Sequence, residues 1–174
     1  MRMKTKIALF LNVILLSMAL ACGYHIMGRG GGFPGGVTTL AISPLENKTP
    51  EPNLDTIFIS ALCKEFISRR ELEIVKAQRA EAVLQGAIRS LTTHSLAYDE
   101  EARVREHRVT ITLDLRLVRQ ENGEILWRGD GIKRSEEYKA SDDVMVYEGR
   151  KNRAIRKIAA DLAEEVYFRI QERF

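Results

Sequence analysis

Few residues in this 174-residue chain are of types and spacings that do chemistry. The three histidines, His25, His94 and His107, stand far apart, and no Ser-His-Asp order with a nucleophile elbow accompanies them. The two cysteines, Cys22 and Cys63, form no CxxC, which with the absence of HxxxH excludes a zinc ribbon or finger. Glu100-Glu101, Glu136-Glu137 and Asp142-Asp143 are paired carboxylates. Pairs of this kind serve acid–base catalysis only when burial separates their acidities, and on loops or half-exposed strands they solvate or cap. No catalytic constellation results, so the expected role is binding or assembly without enzyme activity. The chemistry that remains is cationic. Arg103, Arg105, His107, Arg108, Arg116 and Arg119 run along one segment, and Arg128, Lys133, Arg134 and Lys139 along the next, with Arg89 before both. Arginine matches phosphate with paired donors and lysine acts as a point charge. Asp114, Glu136 and Glu137 lie among these cations, so a charge-balanced, solvated face is the competing reading.

The charge sum narrows the partner. The chain has 27 Lys and Arg against 24 Asp and Glu, a net +3. Residues 1–21 hold three cations (Arg2, Lys4, Lys6) and no acid, leaving residues 22–174 with 24 of each sign. A neutral chain lacks the basic footprint of nucleic-acid binding. Residues 1–6 are a short basic region and residues 7–21 an apolar one, after which the chain turns to glycine. That is the anatomy of a secretory signal, too short for a membrane span. Its ending, Ala19-Leu20-Ala21-Cys22, resembles a bacterial lipobox. Cys22 is therefore the expected lipidation site and first mature residue. The covalent lipid is the only non-protein group expected. The usual lipobox has Leu three residues before Cys, where Ala19 stands here. Gly23 is not the Asp that retains many lipoproteins in the inner membrane, which points to the outer membrane, facing the periplasm. The competing reading is a secreted protein with a Cys22–Cys63 disulfide, but Cys63 falls in a helical stripe and suits a small buried hydrophobe.

The elements that position these groups follow from periodicity. Residues 1–21 are expected as the signal, 22–36 as a glycine-rich tether, and 37–174 as one domain. Val37 to Ile42 is rich in β-branched residues and predicts a strand, and Ser43-Pro44 ends it. Asn53 is the expected N-cap of a helix over 53–70, whose stripe is Leu54, Ile57, Phe58, Ala61, Leu62, Phe66 and Ile67. Leu72 to Val75 is a short strand or an extended connection. Ala82 to Leu91 alternates in part. Val109, Ile111, Leu113, Leu115 and Leu117 alternate cleanly with polar residues, as in a sheet with one solvated face. Asn122-Gly123 predicts a hairpin, and Gly129 and Gly131 predict a bend or bulge in the returning strand, which runs on towards Tyr138. From about Tyr147 the pattern is helical, with Ala154, Ile155, Ile158, Ala159, Leu162, Val166 and Ile170 on one stripe. The expected fold is α+β: a two-layer sandwich with two α-helices packed on one face of a four-stranded, mainly antiparallel sheet.

In order and spacing, these segments resemble the LPS-assembly lipoprotein family LptE. The resemblance rests on Cys22-Gly23-Tyr24-His25, the glycine tether, VTTLAI, PLENKTPEPNLD, a helix with ALCKEF, AEAVLQGAI, VTITLDLRLV, NGEILW, a late Tyr138 and RAIRKIAADLAEEV. It implies an outer-membrane lipoprotein that plugs the LptD-type β-barrel, helps it assemble and binds lipopolysaccharide (LPS) on the way to the outer leaflet. A domain inside a polar lumen needs a hydrophilic, mixed-charge exterior, which a net-neutral chain with 29% charged residues supplies. Arg103, Arg105, Arg116 and Lys139 are the candidates to meet LPS phosphate. A second class fits the same chain: a lipid-anchored periplasmic adaptor of another envelope assembly or secretion complex. Val37 to Phe66 loosely resembles the N-terminal domains of TolB-like and curli-secretion lipoproteins. A TolB-like chain continues into a propeller, and a curli-type subunit needs further membrane strands.

Overall fold

The computed structural model describes residues 33–98 and 100–172. The expected signal segment, Cys22 and most of the tether lie outside the described residues. Within them the elements are β1 (Thr39–Ile42), β2 (Glu46–Asn47), α1 (Leu54–Arg69), β3 (Glu73–Ile74), β4 (Ala82–Tyr98), β5 (Val104–Arg119), β6 (Ile125–Lys139) and α2 (Val144–Gln171). One sheet takes the order β3-β1-β4-β5-β6, and β2 also pairs with β4. This corrects the four-stranded expectation. The sheet has six strands and is mixed: β1 is parallel to β3 and β4, β2 is parallel to β4, and only β4-β5-β6 is antiparallel. β2 and β3 contribute two residues each, too few for any alternation to register in sequence.

The core forms where the apolar stripes meet. On β5, Val109, Ile111, Leu113, Leu115 and Leu117 are buried, as their alternation requires. Leu54, Phe58, Leu62 and Phe66 come from α1, spaced by four. Ile155, Ile158, Leu162, Val166 and Ile170 come from α2. Phe33, assigned by sequence to the tether, is 4% exposed. Its ring meets Phe66 edge-on at 5.9 Å, and Phe66 meets Tyr167 at 5.3 Å, so the packed domain includes residues before Val37. Glu81 ties this entry down. Its carboxylate accepts from the Thr38 amide at 2.7 Å and from the Thr38 hydroxyl. The Thr38 amide, with that of Thr39, holds Glu81 below the usual carboxylate range.

Two bulges shape the long strands. Ile88 stands opposite Leu113 but Ser90 stands opposite Thr112, so Arg89 is an extra residue. The inward set therefore switches from even to odd numbers, which hid the continuation of β4 from Leu91 to Tyr98. On β6, Leu113 faces Ile132 while Leu115 faces Gly129, so Asp130 and Gly131 share one opposing residue, Asp114. Gly131 sits at φ +66°, where a side chain is strained. Gly129 is needed for a different reason, since a Cβ there would stand 2.6 Å from the Trp127 ring. Gly131 thus forms the expected bulge, while Gly129 stays in register opposite Leu115 and makes room for the Trp127 ring.

Each helix start differs from its reading. Asn53 precedes α1 with φ +61° and makes no side-chain cap bond, so it is not the expected side-chain N-cap. At α2 the Asp143 carboxylate accepts from the Met145 and Val146 amides at 2.8 and 3.2 Å and starts the helix at Val144, before Tyr147. Val144, Met145 and Val146 are all exposed, so this first turn has no apolar stripe to read.

Candidate functional site

The long antiparallel strands carry the candidate cations to two places. At the end of the sheet where β4 turns into β5, Arg103 lies just before β5 and Arg105 is its second residue. Lys139 closes β6 opposite Glu106. All three are exposed. The Arg103 guanidinium donates to Glu101 at 3.1 Å. The backbone carbonyl of Arg105 accepts from the Ala140 amide, and that of Lys139 accepts from the Arg150 guanidinium at 3.3 Å. Arg105 shares the helix-facing set of His107 and Val109, while Lys139 shares the open-face set of Glu137. These three therefore rim one end of the sheet from both faces.

Arg116 does not join them. It stands on β5 eleven residues beyond Arg105 (116 − 105), about 36 Å along a strand rising ~3.3 Å per residue. It lines an open cleft of about 580 Å³ together with Lys48, Glu46, Asp114, Arg128 and Asp130. Cations and acids in that cleft balance.

Between the two places, the open face is a polar ladder. Arg89 pairs with Asp114 at 3.3 Å, and Arg128 pairs with Asp130 at 2.6 Å. Arg108 Nε donates to Glu137 at 3.1 Å. The hydroxyls of Thr110 and Ser135 meet at 2.8 Å. Thr112, in the same row, is the one buried polar residue among those described, at 7% exposure. On the helix side, Lys157 donates to Glu136 and Arg134 reaches Glu165 at 3.0 Å. The Glu136-Glu137 pair is thus split between two faces, each carboxylate with its own cation.

An aromatic cluster sits under the cationic rim and was not singled out from sequence. His107 stacks on Tyr138 with centroids 5.3 Å apart and meets Tyr147 at 5.6 Å. The two tyrosine hydroxyls are 3.1 Å apart. Burial, then the bond to Tyr147, raises the Tyr138 phenol above its ordinary value. The available signal was phase, because His107 falls in step with Val109 and Tyr138 stands opposite it. Among the described residues no group of His, Cys, Asp and Glu is arranged to hold a metal ion. Burial raises the pKa of the half-buried Cys63 thiol and so disfavours its thiolate. No helix of the described residues is long and apolar enough to cross a membrane.

Two helices on a mixed sheet with long antiparallel ribbons are an arrangement also seen in solved bacterial lipoproteins. Lipoprotein B from Nitrosomonas europaea superposes with a TM-score of 0.58 at 18% identity, over 86% of this chain and 90% of that one. The rare lipoprotein B of Shewanella oneidensis gives 0.53 at 13%, over 76% and 93%. A minor lipoprotein from Acinetobacter baumannii gives 0.50 at 14%, over 78% and 92%. At these identities the likeness is one of fold. No curated protein matches the chain by sequence. The family model for LptE, described as lipopolysaccharide assembly, matches residues 37–170. The chain belongs to the LptE family.

Proposed function

We propose that this protein is an outer-membrane lipoprotein, anchored by lipid on Cys22, that plugs an LptD-type β-barrel, assists its assembly and binds LPS during insertion at the outer leaflet. The observation that carries this reading is the family match across residues 37–170. The surface supports it. Both sheet faces present cations already neutralised by nearby carboxylates, which suits a polar, water-filled lumen better than a lipid-facing position. The chain's own contribution to LPS recognition is the rim of Arg103, Arg105 and Lys139. Arg116 forms a separate contact in its own cleft, since one phosphate cannot reach both ends.

The anchor and the domain divide the work. Each methylene of the lipid on Cys22 contributes about 0.8 kcal/mol of membrane attachment. Retention of the detergent-solubilised full-length protein on immobilised LPS tests the binding step. Retention that free lipid A competes away is expected. Equal retention on a phosphate-free glycan column would contradict phosphate recognition.

A further inference from the structure

The two edges of the sheet are built differently beyond Ile88. Among the described strands β6 is one edge along its whole length, and seven charged side chains stand from Arg128 to Lys139 inclusive. Charged edges of this kind resist pairing with another strand. The other edge is divided. β1 covers β4 at Ala82 to Leu84, and β2 covers it at Ala87 and Ile88. From Ser90 to Tyr98 no described strand lies on the outer side of β4. Those nine residues, SLTTHSLAY, contain no Asp, Glu, Lys, Arg, Pro or Gly. They extend about 30 Å at ~3.3 Å per residue, longer than a typical strand of 5–6 residues. Leu96 and Tyr98 are 38% and 61% exposed on this stretch.

The register says which amides are available. The Ile88 carbonyl accepts from Lys48, so the backbone of Ile88 points away from β5 and its opposite number, Leu113, points towards β6. Alternation along β5 then turns Thr112, Thr110 and Arg108 towards β4 and binds Ser90, Thr92 and His94. Leu91, Thr93 and Ser95 are left with their amides and carbonyls aimed outward.

We propose that the outer edge of β4 from Leu91 to Ser95 is a strand-addition site for an extended, uncharged segment of the β-barrel partner. This rests on the barrel reading above and adds the mode of contact. The neutral edge selects a neutral strand, since an acid or base opposite it would lose solvation without gaining a partner. On the helix side the added strand would lie beside Leu91, Thr93 and Ser95, the Thr93 hydroxyl being already bonded to Tyr138. A closed barrel has no free strand edge, so the segment comes from a loop or extension entering the lumen.

Proline tests this directly, because on an edge strand it removes an outward amide without breaking the inner ladder. Full-length Thr93→Pro, Ser95→Pro and Thr93→Lys are each used to recover the barrel from native envelopes in mild detergent. Ser135→Pro on the charged β6 edge is the matched control. Thermal melting checks the fold, and Thr93→Lys keeps the test open if a proline variant melts early. The expected result is a loss of barrel recovery of about tenfold in the three β4 variants with the control unchanged. Recovery equal to wild type in all of them would overturn strand addition and leave the barrel reading standing. Failure of the wild-type protein to recover any barrel would overturn both. Crosslinks from a photoreactive residue at Thr92 into a second copy of this chain would overturn the assignment of the occupant.

Discussion

The Asp114 carboxylate and the Gly131 amide are bonded across β5 and β6 at 2.7 Å. The bond satisfies the amide that the β6 bulge frees from the ladder, and Arg89 balances the carboxylate from the other side at 3.3 Å. Asp114 lies among candidate phosphate-binding cations, yet its work is structural. Asp114→Ala is expected to lower unfolding free energy by about 1–2 kcal/mol. Asp114→Asn retains an acceptor and should lose less than half of that. Urea denaturation of the two variants checks the order, and equal losses would contradict the bond.

Acid should loosen the entry to the domain through Glu81. Its folded-state pKa lies below the ordinary value of 4.5 because the Thr38 amide donates to the ionised form. The unfolded chain therefore binds the proton more readily, and the stabilisation is complete above about pH 4.5 and lost as pH falls through the folded value. Glu81→Gln should be less stable than wild type at neutral pH and converge with it in acid. Melting curves from pH 7 to 3 test this, and a gap that stays constant would exclude the carboxylate as its source.

Much of the fold was legible because its periods are regular. The β5 alternation, the α2 stripe and the bulge at Gly131 stand as read, and so does the α1 stripe except at Ile67, which is 58% exposed. What escaped has physical causes. Arg89 shifts the phase of β4, so residues beyond Leu91 ceased to alternate in step with those before it. Two-residue strands have no period, and Asp143 starts α2 with a turn exposed on all sides. Site residues were legible as types and not as places. Nothing in the spacing of Arg105 and Arg116 says that one extended strand separates them.

That separation makes a prediction. Reversing Arg103, Arg105 and Lys139 together to Glu removes the rim cations at one end of the sheet. Retention on immobilised LPS should fall by about tenfold or more, in line with the loss of several charge-assisted phosphate contacts. Arg116→Glu alone should lower it less, because it alters a cleft that already contains balancing acids. Surface binding to LPS vesicles measures both, and an Arg116 effect larger than the triple change would move the site to the cleft.

Anchoring is tested separately from folding. Cys22→Ala should leave the domain melting unchanged, since among the described residues the core is closed by side chains from Phe33 to Ile170. The same change should release the protein from membranes or leave it unprocessed. Fractionation with mass spectrometry of the N-terminus tells these apart, and a cleaved form that stays membrane-bound would contradict lipidation at Cys22.

The most direct test of the central claim is recovery of the full-length lipoprotein from native envelopes in mild detergent, with mass spectrometry of what accompanies it. The expected companion is a stoichiometric, large outer-membrane β-barrel of the LptD type. A different envelope complex, with no such barrel, would contradict it and reduce the family likeness to a shared fold serving another assembly.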